Sequence, residues 1–258
     1  MFDIWRRPGK EMPRKKGGVT SIAFDQVAQI FRNELLALMS AGISPDRRFV
    51  DFFTGLDIAR DLVLARAEKE YADIKHVVLT VLFFKTLNDL LSACLSMRAG
   101  YTLQAFPTLR AALESAELME YLNEHQGMVE EYIKGSGQFA RDTSWIRSGL
   151  PETKTRSKMY DFLNYYTHAN FKGLNIFTSY DADALTTAVQ VGPTAPRSPI
   201  MIPYVFAVML LAYAVRTIWE SDKSIATSDW ATRFHAFDES AQKFLAEAPP
   251  AEDITSVG

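Results

Sequence analysis

One apolar run constrains this chain more than any other feature. Between Asp73 and Met97 the segment VVLTVLFF is followed by LNDLLSACL, hydrophobic on nearly every side of a helix. Its one polar stripe is Lys85, Asp89, Ser92 and Ser96. A helix of this kind has to be surrounded by other apolar surfaces. The pattern predicts a central helix over 73–97, stopped by Gly100.

The flanking sequence keeps the helical period. Phe24, Val27, Phe31, Leu35 and Leu38 form one stripe, ended by Gly42 and Pro45. A second helix follows Pro45, with Phe49, Phe52, Leu56, Ala59 and Val63 on one face. After the central helix comes one over about 101–125, with Pro107 inside it, which predicts either separate first turns or a kink. The segment MVEEYIKGSGQFARDTSWIRSGL is weakened by Gly135 and Gly137. RSKMYDFLNYYTHANF predicts a helix over about 156–171. The stretch from Leu174 to about residue 198 has no helical period, and its TTAVQV has the composition of a short strand. So long a connection is either functional or poorly ordered. An apolar helix then runs to about Ser221, and a last one starts near Ser228 or Asp229 and stops before Pro249.

Eighteen uncharged residues separate Arg197 from Arg216, which touches the lower length limit for a membrane span. Pro199 and Pro203 fall in the first third, so the expectation is a buried core helix in a soluble, cytoplasmic protein with no membrane partner. The expected fold class is all-α: an antiparallel bundle of four to five core helices, with two N-terminal helices and a C-terminal helix added. The expected organisation is a flexible basic arm at 1–18, a single helical domain over 19–248, and a disordered acidic tail at 249–258. The arm carries Arg6, Arg7, Lys10, Arg14, Lys15 and Lys16 against Asp3 and Glu11, a composition suited to solubility or to contact with an acidic surface.

Composition narrows the chemistry. With 28 Lys and Arg against 31 Asp and Glu, the molecule as a whole is not a polycation that coats nucleic acid. A single cysteine, Cys94, excludes an internal disulfide framework and any multi-cysteine zinc site. The sequence lacks a Walker phosphate loop, an HExxH pair, a CxxC pair, a calcium loop and a GxSxG elbow. No metal and no cofactor are expected. Any chemistry has to come from a small group of ordinary polar side chains.

Two polar columns provide such a group. Arg110, Glu114, Glu117 and Tyr121 fall at i, i+4, i+7 and i+11 of one predicted helix. Tyr160, Asn164, His168 and Phe171 fall at i, i+4, i+8 and i+11 of another. Each set lines one face. In a catalytic site His168 would move a proton, Arg110 would hold a phosphate or carboxylate by two parallel bonds, and Glu114 would orient that guanidinium. Asn164, Tyr160, Glu117 and Tyr121 would contact the substrate. The plainer alternative is a surface ion pair and a satisfied histidine, or a buried network that fixes helix register.

The run LLSACLSMRAGYTLQAFPTLRAALESAELMEYL, followed by YDFLNYYTHANFKG, resembles a family of bacterial helical proteins near the HEPN superfamily (higher eukaryotes and prokaryotes nucleotide-binding domain). The resemblance covers about residues 75–220 and places the HEPN-like core at about 73–221. It implies a bundle of four or five helices, a homodimer, and a nucleotide, RNA or protein partner, in settings such as toxin–antitoxin and defence systems. Many members of the superfamily are metal-independent ribonucleases that use an Arg followed, after four to six residues, by a His. At that spacing before His168 stand Leu163, Phe162 and Asp161. The resemblance therefore implies a binding or regulatory module first, a ribonuclease using His168 and Arg110 second, and a non-catalytic structural dimer subunit third.

Overall fold

The computed structural model describes residues 33, 47–68, 73–99, 101–140, 145–167, 178–181, 186–189 and 201–247. The chain divides into two compact units, Met1–Ile43 and Ser44–Gly258. The stripe from Phe24 to Leu38 (Asn33, helical, excepted), the basic arm at 1–18 and the acidic tail at 249–258 lie outside the described residues.

The second unit is an all-α bundle. Its helices are α1 (Arg47–Glu68), α2 (Ile74–Arg98), α3 (Thr102–Glu124), α4 (Met128–Lys134), α5 (Ile146–Gly149), α6 (Thr153–Thr167), α7 (Met201–Ser221) and α8 (Ser228–Glu247). Short 3-10 turns at Gly137–Ala140 and Lys223–Ile225 join their neighbours. A two-stranded antiparallel ribbon, β1 (Thr178–Asp181) and β2 (Thr186–Val189), pairs Thr178 with Val189 and Asp181 with Thr186. It places a strand within the TTAVQV segment.

The central helix starts one residue later than expected because Asp73 caps it: its carboxylate accepts the Lys75 backbone N–H at 2.9 Å. Leu79, Phe83, Leu90 and Ala93 are fully buried on α2, and α2 packs against both α3 and α7. α3 is one continuous helix through Pro107, so its first turns are not a separate element. The Pro107 ring lies at the surface, and its missing N–H leaves the Leu103 carbonyl without its usual helical donor.

α1 and α8 are built into the same core. Phe52, Leu56 and Ala59 on α1 are buried, as are Trp230, Phe234 and Phe237 on α8. Gly55 is what lets the three helices meet: a Cβ there would lie 2.4 Å from Phe237 Cζ and 2.8 Å from Leu211 Cδ2 of α7. The Trp230 indole N–H donates to the Ile58 carbonyl at 2.9 Å and ties α8 to α1.

Two buried cations tie helix ends. Arg66, 3% exposed, donates to the Ile218 carbonyl and Ser221 hydroxyl in the last turn of α7, and to the His76 carbonyl and Thr80 hydroxyl near the start of α2. Lys75 donates to the Asn123 carbonyl in the last turn of α3 at 3.0 Å, where a cation also complements the helix dipole. Two helices, Ile74–Arg98 and Pro203–Ser221, are long and apolar enough to cross a membrane by length and composition alone. In this fold about half of each such stretch is buried among the other helices, which is compatible with a soluble protein.

Candidate functional site

The two polar columns face each other across the α3–α6 contact. α3 and α6 run antiparallel here, so Arg110 meets Asn164, and Glu120, ten residues later, meets Arg156. Between them three guanidinium groups are matched to three carboxylates along α3.

Arg110 forms the first tier. Its Nη1 donates to Asn164 Oδ1 at 2.8 Å, and its Nε lies 3.6 Å from Glu114 Oε1. That separation is too long for a hydrogen bond, and the buried Nε has no hydrogen-bond partner in the described structure. Both side chains of this pair are partly open, Arg110 at 27% and Glu114 at 38%. The guanidinium carbon lies 6.0 Å from the Tyr160 ring centre.

Arg147 forms the second tier. It sits on the one-turn helix α5 and donates from Nε and Nη2 to the two Glu117 oxygens at 2.9 and 2.7 Å. The pair is sealed, with side chains 10% and 4% exposed. The Arg147 guanidinium also stacks 3.8 Å from the centre of the Tyr160 ring. Burial pushes the Glu117 carboxyl above its ordinary value, and the hydrogen bonds and charge of Arg147 only partly offset this.

The third tier joins α3, α6 and α7. Arg156 reaches Glu120 Oε2 at 2.9 Å and donates to the Tyr213 hydroxyl, which itself donates to Glu120. Burial pushes the Tyr213 phenol well above its ordinary value. Burial alone would lower Arg156, but Tyr213 and Glu120 together leave it above the usual guanidinium value.

Of the expected site residues, Arg110, Glu114, Asn164 and Tyr160 therefore converge. Glu117 shares the column but is fully engaged by Arg147. Tyr121 belongs to a separate aromatic cluster: its ring stacks on His125 at 4.2 Å and meets Trp145 edge-on at 5.0 Å. His168 lies outside the described residues, as does Phe171. Among the described residues no group of three His, Cys, Asp or Glu side chains is arranged to hold a metal ion.

Arg147, Arg156, Glu120 and Tyr213 were not singled out from the sequence. A trace of them was present: Glu114, Glu117 and Glu120 recur every three residues on a helix whose flanking positions are mostly apolar, so the column needed cations from elsewhere. Which cations those would be depends on packing between distant segments.

No protein-family model, no curated protein and no solved structure matches the chain. The site is therefore read from its own geometry.

Proposed function

We propose that the chain is a cytoplasmic, HEPN-like binding or regulatory module that takes a phosphate-bearing ligand, a nucleotide or nucleic acid, at the Arg110 end of the α3–α6 seam. One observation carries this reading. Of the three guanidiniums, Arg147 gives Nε and Nη2 to Glu117 and Arg156 gives Nε, Nη1 and Nη2 to Pro151, Tyr213 and Glu120, whereas Arg110 is held by a single hydrogen bond from Nη1 and keeps its other terminal nitrogen to spare at a partly open position. A pre-oriented guanidinium with unused donors is suited to a phosphate oxygen. Asn164 fixes it, Glu114 one turn away limits its swing, and Tyr160 closes one side.

The test is thermal shift with ATP, GTP and a single-stranded RNA 20-mer, in EDTA. A ligand at a hundredfold excess over its Kd stabilises by about 2.7 kcal/mol, roughly 5–10 °C for a chain of this size. Arg110→Ala should lose the shift while its own melting temperature stays near wild type. If no probe shifts the melt, or if Arg110→Ala responds like wild type, the reading fails. The same RNA should stay intact, since a module needs no turnover; cleavage lost in His168→Ala would assign a metal-independent ribonuclease instead.

The sealed Glu117–Arg147 pair favours a second reading, a structural subunit in which the whole seam fixes helix register. In that case Arg110→Ala destabilises the fold and removes no binding.

A further inference from the structure

Three carboxylates answer three guanidiniums along α3, so the seam carries no surplus charge for an anion. At its open end Glu114 Oε1 stands 3.6 Å from Arg110 Nε. A phosphate brought to Arg110 meets that carboxylate as well, and their repulsion offsets part of the attraction of the guanidinium. A ligand held firmly here has to satisfy Glu114 in addition to Arg110.

Glu114 is open to such a ligand. Its side chain is 38% exposed, and Arg110 Nε lies beyond hydrogen-bond range of it. Among the described residues no group donates a hydrogen bond to either of its oxygens. Glu117 and Glu120, the other two carboxylates of the column, both accept. Glu114 therefore presents two unspent acceptor oxygens, side by side, next to a guanidinium with a spare terminal nitrogen.

The chemistry that fits is narrow. Two parallel acceptors call for two adjacent N–H donors. A cationic group of the ligand supplies donors, but the neighbouring Arg110 charge opposes a second cation. The donors have to sit on a neutral group. Adenine and cytosine each set the amino group beside a ring-nitrogen acceptor, and uracil sets its one N–H between two carbonyls. Each of these turns a lone pair toward one Glu114 oxygen. Guanine is the common base with N1–H and the N2 amino group side by side, and its O6 acceptor comes next along the same edge.

We infer that the base read at this end of the seam is guanine, with Glu114 accepting N1–H and the N2 amino group and the Arg110 guanidinium facing O6. The inference rests on the reading above, that a nucleotide or nucleic acid sits at Arg110, and adds which base it carries. Arg110 Nη2 has two hydrogens, so a contact with O6 leaves one for a phosphate oxygen. Glu114 then sets specificity as well as limiting the swing of the guanidinium.

Calorimetric titration of the full chain with GTP, ITP and ATP, in EDTA, is the test. ITP keeps N1–H and O6 and lacks only the N2 amino group; ATP lacks the donor pair. Wild type should bind GTP at least about tenfold more tightly than ATP, with ITP between them. The Glu114→Gln amide turns an N–H toward one of the two donors, so GTP should come within about twofold of ATP. Circular dichroism checks that this variant is folded, and the ITP comparison needs no variant. Arg110→Ala should bind none of the three. Equal affinity for GTP and ATP that is lost in Arg110→Ala overturns the guanine inference and leaves the phosphate reading in place. ITP as tight as GTP, or a GTP preference that survives in Glu114→Gln, also overturns the inference. Binding of none of the three by wild type removes both readings.

Discussion

Removing one partner of the Glu117–Arg147 pair should be among the most damaging polar substitutions in this protein. The two side chains are 4% and 10% exposed and share two hydrogen bonds of 2.9 and 2.7 Å. Arg147→Ala leaves the Glu117 carboxylate in a site that water hardly reaches, at a cost of about 3–5 kcal/mol. Loss of the stacking on Tyr160 adds roughly 0.5–2 kcal/mol. The pair itself contributes far less than this, because burying both charges costs nearly what their attraction returns. Glu117→Leu combined with Arg147→Met should therefore recover most of the loss. Urea unfolding of the two singles and the double, followed by Trp fluorescence and circular dichroism, gives the coupling energy, expected at about 3 kcal/mol or more. Singles that each cost under about 1 kcal/mol, or costs that simply add, would refute the reasoning.

The same pair sets a pH dependence. Burial raises the folded-state value of Glu117, so in the window upward from the ordinary carboxylate range the folded chain holds a proton that the unfolded chain has lost. The contribution of this group is thus present at lower pH and fades as pH rises through the folded value. Glu117→Gln removes the group that titrates, and its stability relative to wild type should rise with pH across that window.

Two further outcomes follow from packing. Gly55→Ala drives a methyl into Phe237 and Leu211, and should cost about 1–3 kcal/mol in chemical denaturation; a neutral result would mean that α1, α7 and α8 do not meet there. Cys94 is buried and its thiol is pushed well above its ordinary value, so Ellman's reagent should leave it unmodified in the native protein and react once the chain unfolds in urea.

Periodicity gave the helices their places and missed what lies between them. The predicted spans 73–97 and 101–125 lie within one residue of α2 and α3, because apolar spacing and the Gly100 break are both local signals. α6 starts at Thr153 rather than Arg156, since its first residues are polar and carry no apolar period to detect. The columns at 110–121 and 160–164 were legible because helical spacing places residues on faces. Their facing one another was a tertiary fact. Arg147 comes from a glycine-weakened segment thirty residues beyond Glu117, and Tyr213 lies ninety-three residues from Glu120 inside an otherwise apolar run. Nothing in the local sequence of either marks its partner.

Arg66 binds the last turn of α7 and the beginning of α2 with one guanidinium. Helices usually fray from their ends, yet here two ends can loosen only together, and only by stranding a charge. Amide exchange at these termini should then be slow and concerted. Partial opening of the body would begin at short, weakly anchored α4, and leave the far end of α7 among the last parts to come undone.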